Sequence, residues 1–178
     1  MKTSHSGFTA MELLITLALV SILTVAGIPG MRDHILNQQI KSATALLLSD
    51  LKLARNEAIS MHTWTIACPG DNITGCSSQS QWSVGWLVFA DLNGDRAWQA
   101  DEPLLRNTNP LDDMSALSAE SRKQIRFFSG GSAPGSNTSI VFCDGRGWTK
   151  GQKIVVSNSG RMRMAALSSS DETRCPPS

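Results

Sequence analysis

Three registers of hydrophobic patterning follow one another along this chain. Residues 8–28 form an almost unbroken apolar run. About 21 residues at ~1.5 Å rise per residue reach roughly 30 Å, one hydrocarbon core. A single charge, Glu12, interrupts the run, and a carboxylate at membrane depth is kept only where it has a partner and a use. From residue 36 the steps become three and four. Leu36, Ile40, Ala43, Leu47, Leu51, Ala54 and Ala58 then line one helical face, with Asp33, Gln38, Lys41, Asp50, Lys52, Arg55 and Glu57 mostly on the other. The two registers join into one helix from residue 8 to about residue 60, ~80 Å long by its rise. A helix broken at Pro29 and Gly30 is the alternative.

The third register alternates. Residues 63–68, 82–89, 125–128, 139–143, 153–156 and 161–166 read as short strands bounded by Gly, Ser, Asn and Pro, while 107–121 and 129–137 read as polar loops. A long helix followed by strands predicts an α+β fold, with the helix packed on a C-terminal antiparallel β-rich head. The chain has 178 residues. Roughly 110 remain once the first seven and the helix are set aside, enough for one small domain but not two. The expected divisions are a leader over 1–7, an apolar half-helix over 8–29, an amphipathic half-helix over 30–62, and the head over 63–178.

Charge is near balance overall but unevenly placed. Residues 1–119 carry 7 Lys/Arg against 11 Asp/Glu, and residues 120–178 carry 9 against 4. A basic C-terminal part admits an anionic partner, although a solvated surface is the ordinary reading of such a bias. Four cysteines, Cys68, Cys76, Cys143 and Cys175, allow three pairings. A head exported beyond a membrane anchor meets an oxidising compartment, so disulfides are expected. Cys68–Cys76, closing a loop rich in Pro, Gly and Asn, and Cys143–Cys175, pinning the tail to a sheet, are the favoured pairs. Zinc is disfavoured, since there is no C-x-x-C and the histidines scatter over positions 5, 34 and 62.

Three constellations could carry chemistry. Asp91, Asn93, Asp95 and Glu102 stand at positions 1, 3, 5 and 12 of a calcium-type loop, but Arg96 occupies the position that needs glycine, so a plain acidic turn is preferred. Trp64, Trp82 and Trp86 alternate within apolar stretches as core residues. Trp148 sits in a basic loop, where it either stacks on a base or caps the core. The sharpest is the C-terminal hairpin of residues 153–164. Gly160 ends its turn, Arg161 and Arg163 project from one face, and Met162 and Met164 point into the core. Two guanidinium forks ~6.6 Å apart can engage successive phosphates. Arg146, Lys150, Lys153 and Arg174 could extend the stripe, or these cations could pair with Asp144, Asp171 and Glu172. No Ser/His/Asp or Cys/His grouping and no Gly-rich phosphate loop speaks for an enzyme.

Gly7 before Phe8, with Glu12 fifth after that junction and the polar stretch ahead of the apolar run, resembles a type IV prepilin leader. Val88-Phe-Ala-Asp-Leu-Asn-Gly-Asp95, Ile140-Val-Phe-Cys-Asp-Gly-Arg-Gly147 and Ile154-Val-Val-Ser-Asn-Ser-Gly-Arg-Met-Arg163 extend the likeness over nearly the whole chain. Together they resemble the GspH/FimT family of minor pilins and pseudopilins. The resemblance implies a pilin fold without catalysis or cofactor. It also implies cleavage after Gly7 by a prepilin peptidase, methylation of the Phe8 amine, and Glu12 neutralising a neighbouring subunit's amine. Other major and minor pilins would be partners. The subunit would stand in the inner membrane, head in the periplasm, before joining an extracellular pilus. Gly160-Arg161-Met162-Arg163 matches the G-R-x-R signature of FimT-type competence pilins, which implies sequence-independent DNA binding for natural transformation. A structural or initiating minor pilin, or a type II secretion pseudopilin that never touches DNA, is the alternative.

Overall fold

The computed structural model describes residues 7–175, and within the helix the side chains of residues 24–30 lie outside that description. So do residues 1–6, on which most of the expected leader falls. One helix, α1 (Ala10–Met61), runs unbroken through Pro29 and Gly30. It starts on a capping box that the sequence reading did not pick out. Thr9 N–H donates to Glu12 Oε2 at 3.4 Å, and Glu12 N–H donates to Thr9 Oγ1 at 3.3 Å. Glu12 thus has a local use in the single chain: it satisfies a free amide of the first turn.

The chain divides into two compact units, residues 1–38 and 39–178. In the first, the apolar side chains face outward all round: Phe8 is 83% exposed, Met11 72% and Leu23 71%. Among the described residues, no helix is long and apolar enough to cross a membrane. The apolar run expected to do so continues into residues 24–28, whose side chains are not described.

The second unit is organised by the helical stripe. Ile40, Ala43, Leu47, Leu51, Ala54 and Ala58 are all buried, as the three-and-four spacing requires. They pack on the inner faces of two antiparallel sheets. The first sheet runs β2 (Gly75–Cys76), β1 (Trp64–Asp71), β3 (Trp86–Asp91), β4 (Leu104–Thr108), with β6 (Ile125–Phe127) also paired to β1. The second runs β5 (Ser115–Leu117), β7 (Thr138–Cys143), β8 (Gln152–Val156), β9 (Met162–Ala166). Alternation puts Trp86, Val88, Ile140, Phe142, Ile154 and Val156 under the helix. Their neighbours Ile66, Leu87 and Phe89 form a second small core on the far face of the first sheet, capped by Trp98. Val141 and Cys143 do the same on the second, capped by Cys175, Leu167 and Trp148.

Several expectations need correction. Residues 82–84 form a 3-10 turn, not the start of a strand: Gly85, at φ 100°, breaks the extended run before β3. β4 and β5 occupy parts of the stretch read as loop, because backbone pairing with β3 and β7 needs no apolar signal. Asp50 does not lie on the solvent face of the helix but is 3% exposed, held inside by Trp86. Trp64 is half-buried, packed on Phe128 rather than enclosed. Met164 is 42% exposed: β9 is the edge strand, and the core ends at Met162.

Candidate nucleic-acid interface

The hairpin of β8 and β9 is set by glycine. Gly160 is buried, has φ 76°, and a Cβ there would lie 2.0 Å from the Gly131 carbonyl oxygen. No other residue fits that turn without moving backbone. The turn closes through Gly160 N–H donating to Ser157 O at 2.9 Å and Ser157 N–H donating to Arg161 O at 3.0 Å. Gly160 therefore shapes the site and is not itself a contact surface.

The turn delivers Arg161 and Arg163 to the outside, and both are exposed. Arg163 lies across from Val155 on the edge strand. Arg161 sits just ahead of β9 and lines a cavity of about 320 Å³ with Lys52, Arg55, Asn56 and Met162. Among the described residues, no carboxylate lines that cavity. Arg55 is anchored by its Nε donating to Gly131 O at 2.8 Å. Lys52 and Arg55 are cations that sequence reasoning placed on a helix face without linking them to the hairpin. Nothing in local spacing could have done so, since the contact is tertiary. Among the described residues, Arg161, Arg163 and Lys150 form no ion pair.

The remaining cations of the expected stripe are engaged within the protein. Arg146 forks onto Asp144, with Nη2 2.6 Å from Oδ2 and Nε 3.1 Å from Oδ1. Lys153 Nζ lies 2.6 Å from Asp171 Oδ2, and Arg174 pairs with the other oxygen of Asp171 while donating to Ser139 O at 2.9 Å. Asp171 is 2% exposed. Burial alone would raise its carboxyl, but hydrogen bonds from Lys153 and Ser168, together with the lysine charge, outweigh burial and hold it at about 2. Asp144 is likewise lowered: burial opposes, and the bonds from Arg146 prevail. The Asp171 pairs fasten the tail and the Asp144 pair closes the loop after β7, so the pairing alternative holds for Arg146, Lys153 and Arg174.

Both expected disulfides form, Cys68–Cys76 with Cα atoms 5.5 Å apart and Cys143–Cys175 with 5.7 Å. The second ties the 3-10 turn Ser169–Arg174 to the outer face of the second sheet. Trp148 packs half-buried beside that bridge, as a cap. In the acidic loop, Asp91 accepts Gly94 N–H at 2.8 Å and Arg96 N–H at 3.2 Å, and Glu102 accepts Leu92 N–H at 3.0 Å. Its carboxylates face backbone amides. Among the described residues, no three His, Cys, Asp or Glu side chains gather as a metal-binding group.

Residues 43–160 match the family model described as type II transport protein GspH. The chain belongs to the GspH family. A crystal structure of the type IV minor pilin FimU of Pseudomonas aeruginosa shares the fold with a TM-score of 0.58 at 19% identity, over 78% of this chain and 93% of that one. The minor pseudopilin EpsH from the type 2 secretion system of Vibrio cholerae does so with a TM-score of 0.50 at 13% identity, over 72% of this chain and 97% of that one. The type IV major pilin protein PilE1 of Neisseria gonorrhoeae is 31% identical over 102 residues, 53% of this chain. This GspH-family chain aligns with 47% of that relative's length. The resemblance to the GspH/FimT family holds, and the fold is a pilin fold.

Proposed function

We propose that this GspH-family protein is a minor type IV pilin that binds DNA without sequence preference for uptake in natural transformation. Arg161 and Arg163 carry the reading. They are exposed, pair with no carboxylate among the described residues, and are displayed at the start of an edge strand by a turn only glycine can make. Guanidinium forks in that state are available to phosphate oxygens, and phosphate contacts confer affinity without reading bases. Lys150 stands exposed as a further donor. Gly7 and Phe8 mark the junction for a prepilin peptidase and the amine to be methylated. Glu12 would exchange its Thr9 contacts for a neighbouring subunit's amine, the apolar half-helix would hold the subunit in the inner membrane, and other pilins would enclose it in the pilus.

The internal pairing of Arg146, Lys153 and Arg174 favours a second reading, a structural or initiating subunit without a DNA role. A mobility-shift experiment with the full chain in nonionic detergent separates the two. Duplex DNA retarded by the wild type and released by R161Q/R163Q, with piliation intact, supports uptake. Loss of pili in that variant, with no retardation by the wild type, supports the structural role.

A further inference from the structure

A second cationic site lies away from the C-terminal hairpin. A cleft of about 530 Å³ opens on the first sheet, lined by Arg96, Arg122, Lys123, Arg126, Trp98 and Gly135 among others, with no carboxylate in its lining among the described residues. Four cations converge there from three separate segments: the acidic loop, the stretch before β6, and β6 itself. Arg126 is the least relieved of them. Its guanidinium lies over the Trp64 ring at 5.7 Å, and its Nη1 is buried with no acceptor among the described residues. Burial first, then the Arg96 charge, lowers its pKa against the pull of Asp91. Trp98, half-buried on the edge of Phe89, offers an aromatic wall beside these charges.

The cleft and the hairpin share one loop. Gly135 lines the cleft, while Gly131 takes the Arg55 hydrogen bond beside Arg161 and packs under Gly160. Ala133 N–H donates to Asn158 O of the hairpin turn at 2.8 Å. Four residue steps separate Gly131 from Gly135, so their Cα atoms are within about 15 Å. That is less than half of one duplex turn of ~34 Å.

We propose that the Arg96–Arg122–Lys123–Arg126 cleft is a second phosphate-binding site, taking the backbone of the same nucleic acid that meets Arg161, on a path across the 129–137 loop. The inference rests on the DNA reading above and gives it a direction: toward the first sheet, not along Lys153 and Arg174. A ladder of phosphates matches cations spread over two sites; an acidic peptide segment is the competing occupant.

The test is a titration of the full chain in nonionic detergent with a labelled 30-base-pair duplex across salt concentrations, comparing wild type with R122Q/K123Q. Two lost phosphate contacts should flatten the plot of log affinity against log salt by ~1.8. The wild type would then lose about tenfold more affinity than the variant between 50 and 200 mM salt. Ser78→Glu, which adds a carboxylate at the rim and removes no arginine, should weaken binding at low salt. A wild-type slope in R122Q/K123Q and unchanged binding in Ser78→Glu, while R161Q/R163Q abolishes binding, overturns the cleft and leaves the hairpin reading standing. Loss of binding to a polyglutamate peptide with DNA binding unchanged also overturns it, in favour of a protein partner. No DNA binding by the wild type at any salt removes the underlying reading instead.

Discussion

The indole N–H of Trp86 donates to Oδ2 of Asp50 at 2.9 Å, joining the C-terminal part of the helix to the first residue of β3. Both residues are buried, and Thr108 Oγ1 donates to the same oxygen at 3.3 Å. Arg106 lies 3.6 Å from the other oxygen but is itself 56% exposed. The indole supplies the reason for a carboxylate inside: a buried N–H without an acceptor costs ~1–3 kcal/mol.

Asp50→Ala should therefore destabilise the protein by about 2–3 kcal/mol, read as a lower urea midpoint. Asp50→Asn keeps an acceptor and loses chiefly the solvent-screened pair with Arg106, so it should cost less than about 1 kcal/mol. Equal losses in the two variants would show that charge, not the acceptor, matters at this position.

Gly160→Ala should destabilise by about 2 kcal/mol or more, because φ 76° and the Gly131 carbonyl both oppose a Cβ. Any loss of DNA binding in this variant should track unfolding, as followed by circular dichroism. A stable Gly160→Ala protein that fails to bind would make the position a direct contact.

The Asp171 carboxyl stands at about 2, below its ordinary 3.8. A depressed carboxyl stabilises above its unfolded value and loses that contribution as pH falls through the folded one. Stability should thus decline between about pH 4 and pH 2, by on the order of 2 kcal/mol from this residue. Urea unfolding at pH 5 and pH 2.5 should show the decline in the wild type and a smaller one in Asp171→Asn. Asp144, also lowered, keeps the residual slope from vanishing.

The bridge from Cys143 to Cys175 spans 32 residues, against 8 for Cys68–Cys76. By loop entropy, removing the first should cost ~3–4 kcal/mol and the second ~2–3. Thermal unfolding of the two double-serine variants checks the order.

The sequence carried the scaffold well and the placement of charge poorly. The three-and-four stripe from Ile40 to Ala58 found the buried helical face, and apolar alternation found β1, β3, β6, β7, β8 and β9 but not β2, β4 or β5, which pair through backbone without an apolar pattern. Both signals are local and periodic. Asp50 escaped because its partner lies 36 residues away, and a helical wheel sees only polarity. Met164 misled because alternation fixes which side a residue points to, not whether anything covers it. Arg161 and Arg163 were legible from one motif, whereas their neighbours Lys52 and Arg55 were not. The Arg96–Arg126 cleft stayed hidden for the same reason: its cations come from segments that only folding brings together.

The central claim, that the C-terminal arginines hold DNA by its phosphates, is tested most directly by one titration of labelled duplex with the full chain. Wild type and R161Q/R163Q are compared from dilute buffer to 200 mM salt. The account predicts wild-type binding whose log affinity falls linearly with log salt, and no measurable binding by the variant at any salt above the lowest. Indifference of the wild type to DNA in dilute buffer, or equal binding by the variant, would contradict it.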